Sequence, residues 1–160
     1  MICELFALSS HSARQVLAEP AGIRELLRSL EQTGTGVSLE KSWHGLHFAL
    51  TGTAWGGDPP FNFLVTGGEP VGDIDVGYGQ ARILLPDQVA LLNSALASMS
   101  EEEFARRFDL AELAKAAIYP EIWDEPSDEL LDEFGGYLSF AKALIDDATR
   151  NGQAILIVLR

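Results

Sequence analysis

Residues 154–159 read Ala-Ile-Leu-Ile-Val-Leu, the longest apolar run in the chain. A short run of this kind, rich in aliphatic and β-branched residues and placed just after Gly152, is typical of a strand that is buried on both faces. It is far too short for a membrane-spanning helix, which needs roughly 20 apolar residues. The run therefore predicts a central strand in a sheet that is covered on both sides.

Two further strands are predicted far from this run. Residues 2–8 form a short apolar segment that ends at two serines, and residues 81–85 form another that leads directly into Pro86. Apolar residues at helical spacing, with N-capping residues before them, fill most of the rest of the chain. The sequence thus predicts an α+β fold: a single compact domain over 1–160, mostly helical, with a small sheet of about three strands (2–8, 81–85, 154–159).

Three intermediate segments carry more specific expectations. Ser38 is a candidate N-cap for a helix that runs to Thr51. Residues 69–80 are rich in glycine and predict an irregular loop that is long enough to build a site. The pair Gly135-Gly136 lies inside the last helix, where it favours a kink or close packing against another element.

Charge is the compositional outlier. The 160 residues carry 24 acids and 11 bases, for a net charge of −13. Such a balance disfavours a nucleic-acid partner. Between Glu101 and Glu133 there are 12 acids against three bases, a segment that could steer a basic protein partner or could simply form solvated helix surfaces. The single cysteine, Cys3, excludes an internal disulfide and a cysteine zinc site, and we expect a cytoplasmic protein that does not enter a membrane.

The candidate histidines, His44 and His47, lie three residues apart on a predicted helix. Such a pair can point toward one metal ion, with further ligands from nearby acids. No HExxH pattern is present, however, and His47 falls on the apolar stripe beside Trp43, where a buried core histidine is the commoner arrangement. We therefore predict no metal site and no cofactor.

A second candidate feature is the segment Gly77-Tyr78-Gly79, followed by Arg82 at the start of a strand. It could recognise an anion, although an internal salt bridge from Arg82 to Asp73, Asp75 or Glu69 is the commoner arrangement. Nucleophilic catalysis has little support, because Cys3 lies in an apolar strand and no GxSxG elbow occurs.

Five segments in order along the chain carry a family resemblance. They are WHGLHF (43–48), LTG (50–52), GGEPVG (67–72), GYG (77–79) with Ala81-Arg82, and IYP (118–120) with Ile122-Trp123. Together they resemble the YfbM-like bacterial family, a domain of unknown function. The resemblance implies a small single domain of mixed helix and sheet and brings no activity, cofactor or catalytic residue with it. The opening ICEL (2–5) and Gly135-Gly136 depart from the family pattern.

Two functions are compatible with these features. The first is a non-catalytic binding module for a small polar ligand or a basic protein, one version of which is an acidic immunity or inhibitor protein. The second is a small-molecule hydrolase or lyase with His44 as acid or base and Arg82 as anion anchor. The predicted ligand-binding residues are Trp43, His44, His47, Glu69, Tyr78, Arg82, Tyr119 and Trp123.

Overall fold

The fold is built on one antiparallel sheet, in a computed structural model that describes residues 1–160. The strands are β1 (Cys3–Leu8), β2 (Val37–Ser38), β3 (Glu69–Asp75), β4 (Gln80–Leu84) and β5 (Ala154–Leu159). They lie in the order β2-β1-β5-β4-β3, and each adjacent pair is antiparallel. The strand at 154–159 is therefore central, as its apolar sequence predicted.

The sheet has five strands, so the expectation of about three strands at 2–8, 81–85 and 154–159 was too low. Strand β2 has only two residues, which is too short to give a pattern. The supposed irregular loop at 69–80 is mostly β3 and its turn; only Val71 on this edge strand is fully buried, so the usual alternation of apolar and polar residues is weak. Leu85 lies outside β4 and precedes the next helix.

The helices are α1 (Ser10–Ala18), α2 (Ile23–Thr33), α3 (Trp43–Thr51), α4 (Pro86–Ser98), α5 (Glu101–Arg107), α6 (Leu110–Lys115) and α7 (Ser127–Arg150). Ser100 and Asp109 accept hydrogen bonds from backbone amides at the starts of α5 and α6, as expected of N-caps. Ser38 does not cap a helix, because it lies in β2 and α3 begins only at Trp43. No helix is both long enough and apolar enough to cross a membrane.

The two faces of β5 are both covered. Ile155 and Ile157 belong to a large apolar cluster that also takes side chains from α3 to α7. Leu156 and Val158 belong to a smaller cluster, which α1 and α2 complete on the other face. Because successive strand residues point to opposite faces, a sheet between two helical layers requires every residue of its central strand to be apolar.

Close helix packing occurs at Gly45 rather than at Gly135-Gly136. A Cβ atom on Gly45 would lie 2.8 Å from Cη2 of Trp123 and would overlap the ring of Phe134. A Cβ on either Gly135 or Gly136 would meet nothing within 4 Å, and α7 runs without interruption past both residues. The expected close packing at the glycine pair is therefore absent.

Candidate functional site

Helix α3 presents His44 to the backbone rather than to solvent. The side chain is buried, its Nε2 lies 2.8 Å from the carbonyl oxygen of Ala54, and its Nδ1 accepts a hydrogen bond of 3.2 Å from the amide of Tyr119. Since a carbonyl can only accept, Nε2 carries the proton and the ring is neutral. Burial lowers the pKa of His44. Both ring nitrogens thus form hydrogen bonds that hold two loops against α3.

The rings around His44 form an aromatic stack. The Trp43 ring lies 4.8 Å from that of His44, centroid to centroid, and the Trp55 ring lies 4.4 Å away on a loop that the sequence did not single out. Tyr119 is 6.5 Å from Trp43, and Trp123 donates its indole N–H to the carbonyl of Ile118 at 2.7 Å. The structure therefore brings together three of the predicted site residues, Trp43, His44 and Tyr119. The Trp123 ring packs instead against Phe108 and Phe134.

His47 is the most perturbed of the histidines. It is fully buried and neither ring nitrogen has a hydrogen-bond partner; Nε1 of Trp43, one turn earlier, is also unpartnered. Burial, with a smaller contribution from His44, lowers the pKa of His47 to about 4. The backbone of Gly56 approaches closely enough to offset part of that lowering, but it forms no hydrogen bond of ordinary geometry with the ring. His47 is a neutral core residue at physiological pH.

Arg82 is bound by carbonyl oxygens rather than by an acid. Its guanidinium donates to the carbonyls of Phe63, Leu64 and Gly67, at 3.0 Å and 2.7 Å for the first two. The Phe63 and Leu64 carbonyls lie at the end of the short 3₁₀ helix Phe61–Leu64, where unpaired carbonyls favour a cation, and Gly67 follows three residues later. Burial lowers the pKa of Arg82 to about 10, which leaves it charged. Arg82 thus fixes the 61–67 segment against β4, and it forms none of the salt bridges weighed from the sequence.

Glu69 and Tyr78 lie apart from the aromatic stack. Glu69 is an exposed residue of β3, and Tyr78 is an exposed residue of the turn between β3 and β4, where its amide donates to the carbonyl of Leu159. The eight predicted residues do not line a single cleft. No cluster of three or more histidine, cysteine, aspartate or glutamate side chains is arranged to hold a metal ion.

A large surface cavity lies elsewhere, between α5 and α7, and we call it the acidic groove. Its volume is about 680 Å³. The groove is lined by Met99, Ser100, Glu101, Glu102, Phe104, Ala105, Leu131, Asp132, Gly135, Leu138, Ser139 and Lys142. Three of its apolar side chains, Met99, Phe104 and Leu138, are almost wholly buried and belong to the large core cluster. They form an apolar floor that is continuous with the protein interior.

The rim of the acidic groove is charged. Glu101, Glu102 and Asp132 are exposed on it, whereas the one cation, Lys142, makes a long contact of 3.5 Å with the carbonyl of Met99. Gly135 borders the same groove, and the open space beside it is part of the cavity. The sequence shows the acids of 101–133 but does not predict the groove, because its two walls are about 30 residues apart in the chain.

Cys3 offers no nucleophile. It is completely buried in β1, and burial raises the pKa of its thiol to about 12, so the thiolate is not populated near neutrality. Together with the paired nitrogens of His44 and the enclosed ring of His47, this leaves no accessible histidine or cysteine at the aromatic stack. What the surface presents instead is a groove with an apolar floor and an acidic rim.

The fold defines an α+β domain with a five-stranded antiparallel sheet between two helical layers. The chain belongs to the family described as "Domain of unknown function (DUF1877)", whose family model matches residues 1–158. Among solved structures it is similar to a protein of unknown function, YfbM from Escherichia coli, with a TM-score of 0.77, 22% identity and 100% of each chain covered. At this identity the similarity shows a shared fold. No curated protein matches the sequence.

Proposed function

We propose that this protein is a non-catalytic binding module whose acidic groove receives a basic, amphipathic helical segment of a protein partner. The observation that carries the proposal is the combination of an apolar floor at Met99, Phe104 and Leu138 with acids on the rim. Helix-in-groove recognition uses this arrangement: apolar side chains one turn apart enter the groove while polar side chains contact its edges. Lysine or arginine side chains on the partner would pair with Glu101, Glu102 and Asp132.

Charge complementarity favours a basic occupant over other ligands. The whole protein carries a net charge of −13, so a cationic partner gains long-range attraction during its approach. The rim carries three exposed carboxylates and a single lysine, so its net charge is negative. An acidic or neutral segment would leave these carboxylates without partners and would lose that attraction. The acidic-inhibitor version of the proposal follows if the basic partner is an enzyme that docking would block.

The contacts of the other candidate residues support binding over catalysis. Hydrolase or lyase chemistry at His44 needs a ring nitrogen free to exchange a proton with substrate. In this protein one nitrogen donates to Ala54 and the other accepts from Tyr119. Arg82, the proposed anion anchor of that chemistry, has its donors on three carbonyls. The enzyme hypothesis is therefore the weaker of the two.

A steric test uses the two adjacent glycines. Gly135 borders the groove and Gly136 does not, yet both lie inside α7 with open space around a built Cβ. Gly135→Leu should fill part of the cavity and abolish binding of a fluorescent amphipathic Leu/Lys helical peptide, whereas Gly136→Leu should bind it like the unmodified protein. Equal binding by both variants would contradict the assignment of the groove.

An electrostatic test uses matched charge reversals. The pair Glu101→Lys and Glu102→Lys should slow association of the same peptide roughly tenfold or more at low salt, since steering contributes factors of 10 to 1,000 to association rates. The control pair, Glu19→Lys and Glu25→Lys, makes the same change in net charge on exposed residues of the α1–α2 region. If both pairs slowed association equally, net charge alone would account for the attraction, and local recognition by the rim would be refuted.

A further inference from the structure

A second cavity lies on the opposite side of the sheet, and its charge is unlike that of the rest of the surface. It has a volume of about 500 Å³ and is lined by Arg24, Leu27, Arg28, Glu31, Asp75, Val76, Gly77 and Arg160. We call it the arginine pocket. Three of the chain's 11 basic residues converge on it, in a protein that carries more than twice as many acids as bases.

The arginines of the pocket differ in their pairing. Arg160 is engaged, because it forms salt bridges with Glu4 and Glu31. Arg24 and Arg28 form no salt bridge; Arg24 donates to the carbonyl of Asp75 at 3.0 Å, and Arg28 donates through Nε to the carbonyl of Arg24 at 3.3 Å. One of the five donors of each guanidinium is thus used to hold it in place. The charge of Arg24 also attracts the nearby Asp75 carboxylate, although the two form no salt bridge.

The acids of the pocket are themselves occupied. The carboxylate of Asp75 accepts hydrogen bonds from the amides of Gly77 at 2.8 Å and of Gly79 at 3.2 Å. These bonds, with a smaller contribution from the charge of Arg24, lower the pKa of Asp75. Glu31 is paired with Arg160. The two acids that line the pocket therefore stabilise its turn and its third arginine, and neither forms a salt bridge with Arg24 or Arg28.

The wall opposite α2 is held in a fixed position. The amide of Tyr78 donates to the carbonyl of Leu159 at 2.9 Å, which ties the β3–β4 turn to the end of β5. Gly77 is required there, because a Cβ atom on this residue would lie 2.7 Å from that same carbonyl oxygen. The pocket is thus formed between a helix face and an anchored turn rather than between mobile side chains alone.

We propose that the arginine pocket binds a small phosphorylated molecule, with Arg24 and Arg28 as its phosphate ligands. Two guanidiniums that form no salt bridge complement the double negative charge of a phosphate monoester, and their planar donor pairs match its oxygens. The volume lies within the range of small-molecule sites and exceeds the needs of a bare phosphate, and Leu27 and Val76 offer apolar surface to an organic group. At physiological salt the Debye length is about 8 Å, so the distant acids of α5 and α7 are largely screened.

This inference is independent of the acidic groove, because the two sites lie on opposite faces of the sheet and share no residue. It also places anion recognition at the arginine pocket, whereas the sequence suggested the Gly77–Arg82 segment. Gly77 borders the pocket, but the cations come from α2 and from the end of β5 rather than from Arg82.

The test is a titration of ¹⁵N-labelled protein with ribose 5-phosphate, inorganic phosphate and ribose at constant ionic strength. Ribose 5-phosphate and inorganic phosphate should each cause saturable shifts of the Gly77 and Gly79 amides and of the Nε–H groups of Arg24 and Arg28, while ribose should cause none. The double variant Arg24→Ala/Arg28→Ala should weaken binding by roughly tenfold or more, from the loss of charge-assisted hydrogen bonds.

Controls separate recognition from general charge effects. Arg106→Ala removes an exposed arginine from α5, on the other face of the sheet, and should leave the titration unchanged. Arg24→Lys/Arg28→Lys keeps the charge but not the planar donor pairs, and should bind with intermediate affinity. Shifts that stay linear with phosphate concentration, or binding that survives Arg24→Ala/Arg28→Ala in a folded protein, would overturn the proposal.

Discussion

The role of Arg82 gives the sharpest quantitative prediction. Replacing it by methionine keeps a long apolar stem but removes every hydrogen-bond donor. The carbonyls of Phe63, Leu64 and Gly67 would then lose the guanidinium that they share, and Phe63 and Leu64 are at most 1% exposed. We therefore expect Arg82→Met to destabilise the fold rather than to affect a ligand.

The size of the effect follows from the three hydrogen bonds. Each buried acceptor left without a partner costs about 1–3 kcal/mol. Against this, the variant no longer buries a charged group, and the lowering of the Arg82 pKa to about 10 shows that this burial is unfavourable. With part of the loss offset in this way, we expect a decrease of about 3 kcal/mol in the free energy of unfolding.

Urea denaturation at pH 7, followed by tryptophan fluorescence, measures the decrease directly. A slope of about 2 kcal/mol per molar urea is typical for a domain of this size, so the midpoint should fall by about 1.5 M. Arg106→Met, on the exposed surface of α5, is the matched control and should change stability by less than about 0.5 kcal/mol. A loss below about 1 kcal/mol for Arg82→Met would refute the reasoning and would free Arg82 for another role.

Three further predictions concern stability. His47 has a pKa of about 4 in the folded protein and an ordinary value of 6.5 in the unfolded chain. Between these values the unfolded chain binds the extra proton, so the stability that the neutral His47 contributes is complete above pH 6.5 and is lost as the pH falls toward 4. His47→Leu should reduce the slope of the unfolding free energy against pH in that window by up to about 1.4 kcal/mol per pH unit. Gly135→Ala should stabilise α7 by about 0.5–1 kcal/mol in urea titrations, because its Cβ meets open space, and a destabilised variant would contradict that geometry. Gly45→Ala should lower the melting temperature through an overlap with Phe134 and Trp123 that costs about 1–3 kcal/mol, and an unchanged melting temperature would disprove the close contact.

The parts of the fold that could be predicted are those in which burial dictates the residue types. Strand β5 needs apolar residues on both faces, and the caps of α5 and α6 need side chains that accept amide hydrogen bonds; both signals are local. Strand β3 gives no such signal, because it is an exposed edge whose pairing changes register between Pro70 and Asp75. An edge strand of this kind forms because a neighbouring strand, here β4, pairs with it.

The same limit explains the outcome at the candidate sites. The sequence neighbours Trp43 and His44 stack on each other in the structure. Tyr119 lies near Trp43, whereas Trp123 packs against Phe108 and Phe134. Whether the ring nitrogens of a histidine are hydrogen-bonded depends on backbone groups elsewhere in the chain. For His44 these groups belong to Ala54 and Tyr119, and no local sequence pattern reveals them. The arginine pocket joins residues from 24 to 160, and its only local signal was the i, i+4 pair Arg24 and Arg28 in an acidic chain.

The most direct test of the central claim is to map where a basic amphipathic helix binds. ¹⁵N-labelled protein titrated with an unlabelled Leu/Lys helical peptide should show its largest shifts at the residues of the acidic groove, around Phe104, Leu131 and Ser139. The amides of α1 and α2, on the far side of the sheet, should hardly change. Shifts spread evenly over exposed acids, or concentrated away from α5 and α7, would contradict the account.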